Sequence, residues 1–231
     1  MDWTRWRRHF EEHRSRPLPV TADPLETVPP AWRDPLVRSL ALFQIGESGE
    51  GRIAHEIHRV VLDGIDDDYR VALGLFVREE GRHARILGDL VRAMGGRVLA
   101  ESGAERAFRR ARRIAGVRAK LVVLLIAEII GVTFYGAIAA RLPPGSLRSA
   151  LGAICDDEAA HLAFHRDFFR TQVRSGAARV LFGAACAVGG AVAGLVVVFD
   201  HAPTLRALGI PRLAIATSVY ALVQDTVRDR G

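Results

Sequence analysis

Two Glu-x-x-His quartets constrain this chain of 231 residues more than any other feature: Glu80-Gly-Arg-His83 and Glu158-Ala-Ala-His161. Spacing i, i+3 brings both side chains of each quartet to one face of a helix. In both cases that face is the apolar one. Glu80 and His83 continue the stripe Leu73, Phe76, Val77, Ala84, Leu87 and Val91, while Glu158 and His161 sit among Leu151, Ile154, Leu162 and Phe169. A carboxylate or imidazole inside an apolar core costs several kcal/mol unless it is paired or bound to a metal. With 12 Glu and 8 His, chance would place about 0.4 such quartets in the chain, and two occur.

The helices that carry them follow from hydrophobic period and stop signals. Apolar residues recur at i, i+3, i+4 and i+7 along four long segments. These predict helices over Pro35–Leu62, ended by Asp63-Gly64, and over Asp67–Met94, ended by Gly95-Gly96. A charged stretch, Glu101–Arg113, bridges to a third helix, Val117–Leu142, which Pro143-Pro144-Gly145 ends. Ser146 caps a fourth, which runs to Arg174. No period-2 segment competes. The expectation is an all-α fold, a four-helix bundle with one long crossover, plus extra C-terminal apolar helices.

The other two helices each offer a carboxylate. Glu128 is the only acidic residue between Glu105 and Asp156, and Leu121, Leu124, Leu125, Val132 and Tyr135 share its face. The first helix offers Glu47 and, one turn on, Glu50. Matching Gln44-Ile-Gly-Glu47 to Leu125-Ile-Ala-Glu128 favours Glu47; matching the 30-residue spacing of Glu128 to Glu158 favours Glu50. With Glu47, the set is Glu47, Glu80, His83, Glu128, Glu158 and His161. Four carboxylates and two imidazoles on four helices suit two iron or manganese ions, whose charge balances the four carboxylates.

Residues 158–165, Glu-Ala-Ala-His-Leu-Ala-Phe-His, resemble the last metal helix of the ferritin-like di-iron carboxylate superfamily, and the resemblance covers Pro35–Arg174. It implies a ferritin-like bundle. Acyl desaturase-like members carry a Glu at a position similar to Glu47. Known activities of the superfamily include desaturation, hydroxylation, N-oxygenation, peroxide reduction and iron storage. The expected function is therefore a non-haem di-iron (or Fe/Mn) oxidoreductase that uses dioxygen to oxidise a small organic substrate. Two other readings stand beside it: a ferritin-like iron-oxidising or storage protein, and a membrane-associated helical scaffold. Two cysteines exclude a Cys₄ site, and no Cys-x-x-Cys, flavin or nicotinamide motif is present, so electrons must come from an external donor.

Neighbours of the set are assigned lesser roles. His165, Tyr135 and Gln44 lie one or two turns from the ligands and are expected to support them by hydrogen bonding. Cys155 reads as a small core residue, and at most one of His55 and His58 can face inward.

Outside residues 33–175, residues 1–32 read as an amphipathic helix, Trp3–Arg14, followed by a Pro-rich linker. Packing on its own domain is the favoured role for that helix, against contact with a membrane. Residues 176–231 form an apolar extension. Val180–Phe199 runs for 20 residues without charge and is long enough to span a bilayer, with a GxxxG at Gly190–Gly194; a buried fifth helix or a homodimer interface needs the same composition. A homodimer is expected. No secretory signal opens the chain, so the expected compartment is the cytoplasm, with membrane association through Val180–Phe199 as the alternative. The net charge of +6 comes from arginines spread over most helices, without an aromatic-interleaved stripe, so nucleic acid is not an expected partner.

Overall fold

The computed structural model describes residues 1–16, 27–48, 51–99 and 116–228. Among the described residues every regular element is helical. We number the helices α1 (Trp3–Arg14), α2 (Pro30–Glu47), α3 (Ile53–Glu56, continued as a 3₁₀ turn Ile57–Arg59), α4 (Asp67–Ala93), α5 (Val117–Ala139), α6 (Ser146–Gln172), α7 (Gly176–Asp200), α8 (Ala202–Ala207) and α9 (Arg212–Arg228). The bridging stretch Glu101–Arg113, most of the Pro-rich linker and Glu50 lie outside the described residues.

Three of the four bundle helices match the expected segments to within three residues at either end. Asp66 caps α4 by accepting from the Tyr69 amide at 2.9 Å, and Gly95 ends it with φ +78°, a conformation that only glycine adopts without strain. The first helix differs. It begins at Pro30 rather than Pro35 and stops at Glu47 instead of running to Leu62. Gly46, Ser48, Gly49 and Gly51 crowd the break, and each Gly costs about 1 kcal/mol in a helix interior. Ser146 is the first residue of α6 rather than its cap. Gly145 precedes it because a Cβ there would meet Thr27 Oγ1 at 2.6 Å.

α2 packs on α4, and α5 packs on α6. One contiguous apolar core extends from Trp3 in α1 to Val223 in α9. Among the described residues two helices, α5 and α7, are long and apolar enough to cross a membrane. Most of α5 is buried, as befits the central helix of a bundle, whereas only one-third of the apolar window of α7 is covered.

α1 packs along α4, as a helix docked on its own domain should. Trp3, Trp6 and Phe10 are buried. The Trp3 indole donates to the Gly64 carbonyl at 2.7 Å, and the Trp6 indole donates to Asp167 at 2.9 Å. Arg5 pairs with the same Asp167. Trp3→Ala should therefore destabilise the fold by about 3–5 kcal/mol in chemical denaturation. A helix merely resting on the surface would leave the midpoint unmoved.

A second polar knot joins α2 to α8. His201 Nδ1 lies 2.8 Å from Ser39 Oγ, which contacts Thr204 Oγ1 at 2.6 Å, and Thr204 donates to the Pro35 carbonyl at 2.6 Å. Phe43 and Phe134 flank the imidazole at 4.8 and 4.6 Å between ring centres. Burial, with Arg38 nearby, pushes His201 down to about 3. The unfolded chain protonates this group near pH 6.5. The stability it confers is thus complete above pH 6.5 and is lost as pH falls from there toward 3, by about 1.4 kcal/mol per unit. Thermal melts across that range should show the slope, and His201→Gln should flatten it.

Candidate metal centre

The carboxylates and imidazoles of the two quartets converge in the bundle interior. Glu80, His83, Glu158 and His161 are all buried, and one donor atom from each lies within 4.8 Å of the others. His161 Nδ1 stands 3.0 Å from Glu80 Oε1, and His83 Nδ1 stands 3.1 Å from Glu158 Oε1. None of these four atoms has a hydrogen-bond partner. Two donors bound to one cation by bonds of about 2.1 Å at right angles would sit about 3.0 Å apart. The spacing of these donors is thus also that of ligands to a common ion.

Glu128 of α5 joins this group. Its carboxylate is buried against Glu158 and lies 3.6 Å from His161 Nδ1. Glu47, at the last position of α2, is half-buried as a residue, with its carboxylate turned in against Glu80. Each lone Glu therefore faces the Glu of one quartet. Space for this is made at Gly131, where a Cβ would lie 3.2 Å from the Glu158 carboxyl carbon.

The protonation pattern of the metal-free cluster reflects crowded charge. Burial, then neighbouring Glu80 and Glu158, hold the Glu47 and Glu128 carboxyls well above the usual range. Burial opposes charge on His83, but Asp157 and Glu158 outweigh it and raise that imidazole to about 9. His161 is raised for the same reason by Glu128, Glu158, Glu79 and Glu80. Glu158 goes the other way: the facing Glu128, His161 and His83 overcome burial and hold its carboxyl well below the usual range. Protons on these groups do what two divalent cations could do instead.

The supporting residues divide. Tyr135 donates its hydroxyl to Glu47 Oε1 at 2.6 Å. His165 is buried beside Glu128, 3.7 Å from Oε1, and burial pushes it down to about 3, so its imidazole is neutral. Neither of its ring nitrogens has a hydrogen-bond partner. Gln44 turns instead to Ser48, to which it donates at 3.1 Å. Cys155 is half-buried with its thiol 3.5 Å from the Val132 carbonyl, and His55 and His58 are both exposed.

Sequence reasoning missed the residues that hold the two imidazoles. His83 Nε2 lies 3.2 Å from Asp157 Oδ2, and His161 Nε2 lies 3.1 Å from Glu79 Oε2. The pairing is crossed: the histidine of α4 is held by α6, and that of α6 by α4. Glu79 and Asp157 each directly precede the Glu of a quartet, and that doublet was the available signal. α1 closes this side, with His13 Nδ1 at 3.5 Å from both Glu79 Oε1 and Asp157 Oδ1. A cleft of about 530 Å³ between α1 and α4 reaches Glu79 past Arg14, Arg78, Arg82 and Arg85.

No protein-family model, curated protein or solved structure matches this chain. What can be said of the site rests on its own geometry: a buried cluster of Glu, Asp and His that could hold a metal ion. A carboxylate on the far nitrogen of a metal-binding imidazole fixes its tautomer and strengthens it as a donor. Asp157→Asn and Glu79→Gln should each weaken metal binding by about 10–100-fold while leaving helicity intact. Competition titration against a chelator measures the first, circular dichroism the second.

Proposed function

We propose that this chain is a ferritin-like carboxylate protein that holds two metal ions, iron or an iron–manganese pair, and works as an oxidoreductase on a small organic substrate with dioxygen. The observation that carries this reading is the set of four buried atoms, Glu80 Oε1, His83 Nδ1, Glu158 Oε1 and His161 Nδ1, packed at ligand spacing without hydrogen-bond partners. Glu47 and Glu128 supply the further carboxylates that would bring the ligands to Glu47, Glu80, His83, Glu128, Glu158 and His161. The chemistry such a pair of ions supplies is the transfer of electrons to dioxygen.

The chain's own residues account for the rest. Asp157 and Glu79 hold a proton on Nε2 of His83 and His161, so that Nδ1 of each ring, once it gives up its own proton, is the donor that faces the centre. Tyr135 keeps a proton on its phenol oxygen, which burial and the facing Glu47 make hard to remove, and presents it to Glu47 Oε1. Phe76 packs its ring edge-on against His161 and His165, and with the buried apolar core around it excludes bulk water from the cluster. Electrons have to arrive from a separate donor protein or reductant.

Elemental analysis of protein reconstituted anaerobically with Fe(II) should find about two metal ions per chain, the number the four-carboxylate, two-imidazole set accommodates. Glu128→Ala should lower that number and abolish reductant-dependent oxygen consumption. Metal content well below one per chain, or content and consumption untouched by Glu128→Ala, would falsify the assignment. Loading at neutral pH should also release protons, because His83 and His161 carry them in the metal-free protein and cannot keep them on the ligating nitrogen.

A further inference from the structure

We propose that the outer face of α7, with α9 beside it, lies flat on an anionic lipid surface. From Val180 to Phe199 every exposed residue of α7 is apolar. Val180, Leu181, Val188, Val192, Leu195 and Phe199 are each 52–71% exposed, and alanines fill the positions between them. The strip is about 28 Å long at 1.5 Å per residue. An unbroken apolar surface of that length on a folded protein marks a contact.

The opposite face of α7 belongs to the bundle. A Cβ on Gly189 would come within 2.3 Å of Ile126 Cδ1 of α5, and one on Gly190 within 2.7 Å of Val223 Cγ2 of α9. Gly194 faces Val219 of α9 at 3.6 Å. The GxxxG pair therefore serves close packing inside the chain. A helix seated by its glycines on α5 and α9 cannot cross a bilayer without tearing out of the core, so it rests along the surface.

Charge selects the occupant. Gly183 meets Val227, Gly190 meets Val223 and Gly194 meets Val219, so α9 runs antiparallel to α7. Exposed Arg174, Arg179 and Arg228 therefore gather at one end of the strip, and exposed Arg206 and Arg212 at the other, against Asp200 and Asp225 among the described residues. A second copy related by a twofold axis would press arginine-rich ends on one another, whether the two α7 helices ran parallel or antiparallel. A surface of anionic headgroups meets the exposed arginines at both ends favourably, with the apolar strip sunk between them.

Vesicle flotation of the full chain tests this, with phosphatidylcholine vesicles prepared with and without phosphatidylglycerol. The chain should float with the anionic vesicles and far less with the neutral ones, and added salt should weaken the binding. Val188→Asp and Leu195→Asp should abolish flotation. Both positions are exposed, so melting temperature and metal content should stay unchanged. Arg212→Gln should weaken binding roughly fivefold. Failure to float overturns the proposal, as does equal binding to neutral vesicles. A lipid-free dimer that Val188→Asp splits, without flotation of the parent chain, assigns the face to a second copy instead. None of these outcomes bears on the metal reading, which elemental analysis decides separately.

Discussion

The interior of this bundle is built around charge that has no water to dissolve it. Glu80, Glu128, Glu158, His83 and His161 are buried among Phe, Leu and Ile side chains, with the Glu47 carboxylate turned in beside them. Carboxylates placed in contact cannot all ionise unless something positive stands between them. In the metal-free chain, protons on Glu47, Glu128 and the two imidazoles meet that need. Two divalent ions would meet it better, because the donor atoms already lie at ligand spacing. A core assembled only for stability would have filled these positions with aliphatic side chains.

Around this centre the packing is layered. α4 and α6 supply the quartets and hold each other's histidines. α2 and α5 close the far side through Glu47 and Glu128. α1 covers the outer carboxylates, with His13 between Glu79 and Asp157 and Phe10 within 5.8 Å of His161 between ring centres. The position of the N-terminal helix is thus tied to the site through two residues, His13 and Phe10, though the site lies in another part of the chain.

Much of this was legible in the sequence, for reasons that can be named. α4, α5 and α6 were readable because apolar period and stop signals agree: Gly95 ends α4 in the left-handed region, and Pro143-Pro144 lie just past α5. The same period misled at α2, where apolar residues continue past Glu47 but Gly46, Ser48 and Gly51 interrupt the helix. The quartet residues stood out because charge on an apolar stripe is costly. Glu79 and Asp157 did not, because an acidic residue beside a core position normally points to solvent. Only the crossing of α4 and α6 turns them inward. The outer face of α7 was equally illegible, since composition alone does not say which side of an apolar helix the bundle covers.

The crossed holding of the two imidazoles makes the alignment of α4 and α6 part of the site. Sliding one helix by a single residue turns its side chains by about 100°. Both outer carboxylate contacts would then fail together, and so would the convergence of the four buried donor atoms. A one-residue deletion inside either helix would act like a frameshift in space. The site is therefore inherited as a matched pair of helices, and each half is meaningless when grafted without the other.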